Sequence, residues 1–230
     1  MLLLLLLPLH RCLRASLAVS SGLGARSQRF EDFLALVAEF GGACLVEVKG
    51  GDHAIIEDAA ATALRSPLPH AAQALTWIGF DLDVMAAVKR RLPGFQVYHV
   101  VEPALASASP RAADSPRSGE RLGSPRGAHT ASPRPGSIEG RRAQFRRLVD
   151  AIVEAGLDGI DCYADRALLD ASLLQYATAA GLGVGVWVWP SVLPGCDSAA
   201  SWQHFASLGC CGFFTSDLPP AVWEWEAARG

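Results

Sequence analysis

Apolar positions along the chain fall into two alternating patterns. Between Phe30 and Phe40 they recur at 30, 33, 34, 36, 37 and 40, the spacing of an amphipathic helix. The next run, over 44–49, is short and nearly continuous, as in a strand covered on both faces. The same alternation continues to the end. Helical spacing is predicted over 55–64, 84–91, 143–155, 166–180 and 199–207, with a further helix in the tail. Strand-like runs occupy 74–80, 95–102, 159–163, 184–189 and 212–217. Asp81 stands where an N-cap belongs, and Pro93-Gly94 stops the helix that it opens. Strands alternating with helices of about ten residues predict βαβ units and a parallel sheet. A doubly wound sheet and a TIM barrel fit this pattern equally. Neither a GxGxxG turn nor a P-loop follows the first strand, which weighs against nucleotide binding.

One strand breaks its own pattern. "ACLVEVKGGD" places Glu47 and Lys49 among Cys44, Leu45, Val46 and Val48. Such charges are rarely buried unless they are paired or bind something. Two residues apart on a strand, they share a face. They read as site residues or as a simple ion pair at a strand end.

Composition divides the chain. Between Pro103 and Gly140, Ser-Pro-Arg recurs at Ser109, Ser115, Ser124 and Ser132 with almost no aliphatic residues, which predicts a disordered insert. Its repeats suit proline-directed phosphorylation or a linker without function. Residues 1–29 open with six leucines and carry Arg but no acid, as a secretory signal, a transit peptide or an arbitrary start would. The expected organisation is therefore a tail over 1–29, folded parts over 30–102 and 141–230, and the insert over 103–140.

Half of the 230 residues are hydrophobic, enough for one core, and no stretch reaches the length of a membrane span. Net charge is −3, yet residues 1–30 hold four Arg and no acid, and residues 103–147 hold nine Arg and three acids. The remainder is strongly acidic, which argues against a nucleic-acid face on the folded part. Six cysteines show no CxxC and read as buried thiols, Cys210-Cys211 as turn packing.

Four segments, in order, resemble the glycerophosphodiester phosphodiesterase family, a TIM barrel of the phospholipase-C-like phosphodiesterases. "CLVEVKG" is similar to its strand ending in Glu-x-Lys, and "IGFDLDVMAAVKRRLPGFQVYHVVE" to its Ser-Phe-Asp strand, basic helix and following strand. "AAGLGVGVWVWP" resembles its tryptophan strand, with Trp187 at the tryptophan. "FASLGCCGFFTSDLP" resembles its closing Gly-x-Asp-Gly-x-x-Thr-Asp-x-Pro. The match covers about 30–102 and 141–220.

The resemblance implies hydrolysis of a glycerophosphodiester to an alcohol and glycerol 3-phosphate, with a divalent metal and two histidines as acid and base. It implies Glu47 as a metal ligand, for Mg²⁺ or Ca²⁺ as hard cations. Lys49 is then a phosphate contact, and Trp187 a substrate wall or else a core aromatic. The substrate would be a small glycerophosphodiester.

The departures are equally specific. His-Arg-Gly, Pro-Glu-Asn-Thr, Glu-x-Asp and His-Asp segments should precede Glu47, and none does. Gly79 stands for the Ser of Ser-Phe-Asp, and Cys211 for the Asp of the closing motif. The fold expected is α/β, a TIM-barrel-like chain N-terminally truncated to about five or six of eight βα units. Open sheet edges in such a part barrel invite self-association. Among the histidines, only His53 is placed near Glu47 in sequence, as a weak stand-in for a catalytic residue. His99, opposite in parity to Tyr98, is expected to be a satisfied core residue or to face the helices. Asp81 and Asp217 read first as caps. The resulting expectation is a phosphodiesterase-type chain inactive alone, with a non-catalytic remnant that binds a phosphodiester, metal or partner as the second reading.

Overall fold

The computed structural model describes residues 2–7, 29–40, 43–50, 52–66, 68, 70–101, 137–188, 197–209 and 214–215. The chain order is β1 (Leu2–Leu7), α1 (Phe30–Phe40), β2 (Ala43–Val48), α2 (His53–Arg65), α3 (Ala71–Ala74), β3 (Leu75–Gly79) and α4 (Leu82–Arg91). There follow β4 (Gln96–Val100), α5 (Ile138–Glu154), β5 (Gly159–Tyr163), α6 (Ala171–Ala179), β6 (Gly183–Trp187), α7 (Ala199–Ser207) and β7 (Phe214–Thr215).

Helix starts are written locally. Asp52, Asp81, Ser137, Asp170 and Ser198 each accept a hydrogen bond from a backbone N–H in the first turn of α2, α4, α5, α6 and α7. The Asp81 cap is the one expected from sequence.

The strands form one sheet in the order β1-β2-β3-β4-β5-β6-β7. From β2 to β7 every neighbouring pair is parallel. Strand order equals chain order, with no reversal at which a doubly wound sheet would switch direction. The architecture is thus a part of a TIM-like barrel, which periodicity alone left open.

The side chains of the strands divide between the two faces of the sheet. Cys44, Val46, Trp77, Val97, Ile160, Cys162, Val184 and Val186 pack outward against the helices in the main core. Leu45, Ile78, Tyr98 and Val100 face the other way, with Trp187 against them. The inward face of a barrel is a packed core, and its C-terminal rim carries the loops where sites form.

Several boundaries differ from expectation. Ile138–Gly140, expected in the insert, open α5 because the Ser137 side chain accepts from Gly140 N at 3.0 Å. Residues 166–169 form a turn and not helix, since Asp165 Oδ1 accepts from Ala167 N and Leu168 N, and Asp170 then caps α6. The last strand contracts to Phe214–Thr215. Leu2–Leu7, expected in the tail, lies antiparallel along β2, with Leu2 opposite Val48 and Leu7 opposite Ala43. Most of 1–29 and of 103–140, the tail helix, Asp217, Cys210 and Cys211 lie outside the described residues, as do His10 and His129. No helix among the described residues is long and apolar enough to cross a membrane. Cys44 and Cys162 are buried thiols, as expected.

Candidate functional site

Side-chain parity decides what reaches the barrel interior. On β2, Leu45 joins the inward cluster, so Glu47 points inward as well. The residue is 7% exposed and lies beside Ile78 of β3 in the register. Lys49 follows at the rim, its Nζ 3.5 Å from Glu47 Oε1, with 39% of its side chain exposed. Burial raises the Glu47 pKa above the usual carboxylate value, while the Lys49 ammonium pulls it down. The ion pair, one of the two readings of the strand anomaly, is present at a C-terminal strand end.

The next inward positions come from β5. Gly159, Asp161 and Tyr163 share a face, and the Tyr98 ring lies directly over Gly159. Asp161 is 1% exposed, and its Oδ1 has no hydrogen-bond partner. Burial first, and the nearby charge of Glu47 second, push its pKa well above the ordinary carboxylate range. Two inward carboxyl groups therefore feel each other across the lumen. Sequence reading missed Asp161, although "GIDCY" holds an acid in an apolar run just as "ACLVEV" does.

Aromatic side chains line the rim beyond them. Trp187 donates its indole N–H to Val101 O at 3.2 Å, which fixes the ring. Tyr163 lies tilted against it with centroids 5.1 Å apart, and Phe80 meets it edge-on at 5.9 Å. Phe80 is 38% exposed, so this wall faces the opening.

The histidines are placed elsewhere. His53 is exposed in the first turn of α2. His99 is buried on the helix-facing side, where burial lowers its pKa and Asp81 partly opposes that shift. Gly79, its register partner on β3, faces the same side, and a Cβ there would lie 2.6 Å from Met85 Sδ. A serine at this position would not reach the interior. His70 precedes α3 and His204 lies on α7. Among the described residues, no cluster of three or more His, Cys, Asp or Glu gathers to hold a metal ion.

Solved structures share this architecture. A protein from Galdieria sulphuraria assigned as a glycerophosphodiester phosphodiesterase matches with TM-score 0.57 and 13% identity, over 86% of this chain and 63% of its own. A protein from Silicibacter pomeroyi assigned as a glycerophosphoryl diester phosphodiesterase matches with TM-score 0.53 and 16% identity, over 87% and 56%. A glycerophosphodiester phosphodiesterase from Parabacteroides distasonis matches with TM-score 0.50 and 16% identity, over 86% and 63%. The chain has the glycerophosphodiester phosphodiesterase barrel fold. It spans 56–63% of the length of these three structures. Neither a protein-family model nor a curated relative matches the sequence.

The coupled carboxyl groups predict a pH dependence. A carboxyl whose native pKa is raised keeps a proton that the unfolded chain loses, so native stability falls as pH rises through the unfolded value. For Asp161 that fall begins near the ordinary aspartate value of 3.8. The neutral isostere in Asp161→Asn has no such proton to keep. Urea unfolding of the metal-free protein should show Asp161→Asn more stable than wild type at pH 7.5. The difference should shrink toward about pH 4. A difference independent of pH would sink this reading.

Proposed function

We propose that the rim of this barrel binds the phosphate of a glycerophosphodiester, without turnover by this chain alone. The observation that carries the proposal is the buried Glu47 with Lys49 beside it, at a strand end of a barrel shared with glycerophosphodiester phosphodiesterases. Lys49 meets a phosphate oxygen as a point charge, and the Trp187 wall covers the apolar part of the ligand. Glu47 holds a divalent cation, Mg²⁺ or Ca²⁺. Its hard oxygens suit either ion, and a cation there offsets the burial that raises its pKa. Such an ion neutralises phosphate charge and polarises the phosphorus–oxygen bonds.

Hydrolysis further needs a proton donor and acceptor within reach of the reacting phosphate. Neither His53, exposed on α2, nor His99, behind the sheet, stands there. This favours binding over hydrolysis.

Incubation with glycerophosphocholine and Mg²⁺ or Ca²⁺ should release no glycerol 3-phosphate. Calorimetry with glycerol 3-phosphate should show binding that Lys49→Ala weakens about fivefold to tenfold, the worth of one half-exposed charge-assisted contact. Turnover that Glu47→Ala abolishes would overturn the non-catalytic reading. Absent binding, or binding indifferent to Lys49→Ala, would overturn the phosphate site.

A further inference from the structure

We propose that Asp161 joins Glu47 as a second ligand for one divalent cation inside the sheet. This rests on the reading of Glu47 as a cation ligand, and it adds a residue three strands away in the sheet.

The register places the two acids. The row beginning at Glu47 runs through Ile78 and Tyr98 to Gly159. Asp161 lies one inward position further toward the rim on β5. Its own register partners are Val100 on β4 and Gly185 on β6. One brings an apolar side chain and the other brings none. Neither satisfies a carboxyl oxygen, which explains why Asp161 Oδ1 is left without a hydrogen bond. A group 1% exposed with an orphaned oxygen ordinarily costs stability. A ligand that reaches the oxygen removes that cost.

Charge identifies the ligand. Were both carboxyl groups ionised beside the Lys49 ammonium, one net negative charge would remain in a largely buried space, an unfavourable state for like charges. A divalent cation reverses the balance, leaving one positive charge to face a phosphate. Carboxylate oxygens are hard donors, and ions such as Mg²⁺ are held by one or two carboxylates with water and phosphate completing the shell. Two acids from β2 and β5 meet that requirement without the third protein group that a closed site demands. The ring of Tyr98 closes the space below, over Gly159 and Gly183, so the ion sits between that ring and the aromatic rim.

MnCl₂ is the probe, titrated into the full chain at pH 7.5 with no phosphodiester present and followed by electron paramagnetic resonance and calorimetry. Wild type should bind one Mn²⁺ with a Kd of about 10⁻⁴ M, as in sites with few charged ligands. Asp161→Asn and the smaller Asp161→Ser should each weaken binding at least about tenfold, and Glu47→Gln equally. Mn²⁺ should raise the melting temperature of wild type more than that of folded Asp161→Asn. No Mn²⁺ binding by wild type up to about 10 mM overturns the proposal, because that exceeds the weakest protein Ca²⁺ sites tenfold. Wild-type affinity in both Asp161 variants, with loss only in Glu47→Gln, overturns the role of Asp161 and leaves Glu47 as a ligand. Phosphate binding through Lys49 is read in a separate titration, so the two readings fail separately.

Discussion

Asp158→Ala should lower the unfolding free energy by about 3 kcal/mol, the cost of stripping a partly buried ammonium of its partner. Asp158 accepts from Lys89 Nζ at 2.7 and 2.8 Å, and its Oδ2 also accepts from Val97 N at 2.8 Å. Lys89 Nζ donates further to Pro93 O and Phe95 O. Side-chain exposures of 18% and 25% leave little water to replace what the mutation removes. The backbone of Asp158 adds two contacts, to Val97 O and from Gly183 N. One residue therefore ties the end of α4 to the starts of β4, β5 and β6.

Urea unfolding gives the measurement. Lys89→Met should cost less than Asp158→Ala, because the carboxylate it leaves behind is the more exposed partner and still accepts from Val97 N. The double variant should cost less than the two changes added, since each single change abandons a partner. A loss below about 1 kcal/mol for Asp158→Ala would place this pair among ordinary surface ion pairs. The cluster sits at the N-terminal end of the strands, the end that reads as stability in barrels. Mn²⁺ affinity of the folded variant should therefore match wild type.

Gly159→Val is the second large effect, again about 3 kcal/mol, from overpacking. A Cβ at Gly159 would overlap the Tyr98 ring, and one at Gly183 would overlap its hydroxyl. Tyr98 is 7% exposed and belongs to the inward cluster with Leu45, Ile78 and Val100. Removing the ring should make room, so Tyr98→Leu introduced with Gly159→Val should restore roughly half of the loss. Denaturation midpoints that fall additively in the double variant would show that the two positions do not compete for space.

What was legible in the sequence was local. Helix α1 followed from its own spacing, and the Asp81 cap from one residue before an apolar run. Glu47 stood out because a charge in an apolar strand conflicts with burial, and Lys49 beside it fixed the shared face. Asp161 presents the same conflict at the centre of a five-residue strand. Its meaning depends on Glu47, three strands away in the sheet. Lys89 and Asp158 are 69 residues apart, beyond any spacing rule. The order of strands, which separates a barrel from a doubly wound sheet, is likewise a property of the whole sheet. Histidine positions could be ranked by sequence distance from Glu47, which favoured His53. Its helix turns it to solvent.

The edge strand β1 carries a consequence of its own. It pairs with β2 through six leucines in a row. Register in a strand is ordinarily specified because a slip exchanges one set of side chains for another. Here a slip of two residues brings leucine to where leucine was. The edge thus lacks an address: main-chain hydrogen bonds hold β1 to β2, while its composition leaves the alignment degenerate. The two chemically distinctive positions of that pairing, Glu47 and Cys44, both belong to β2.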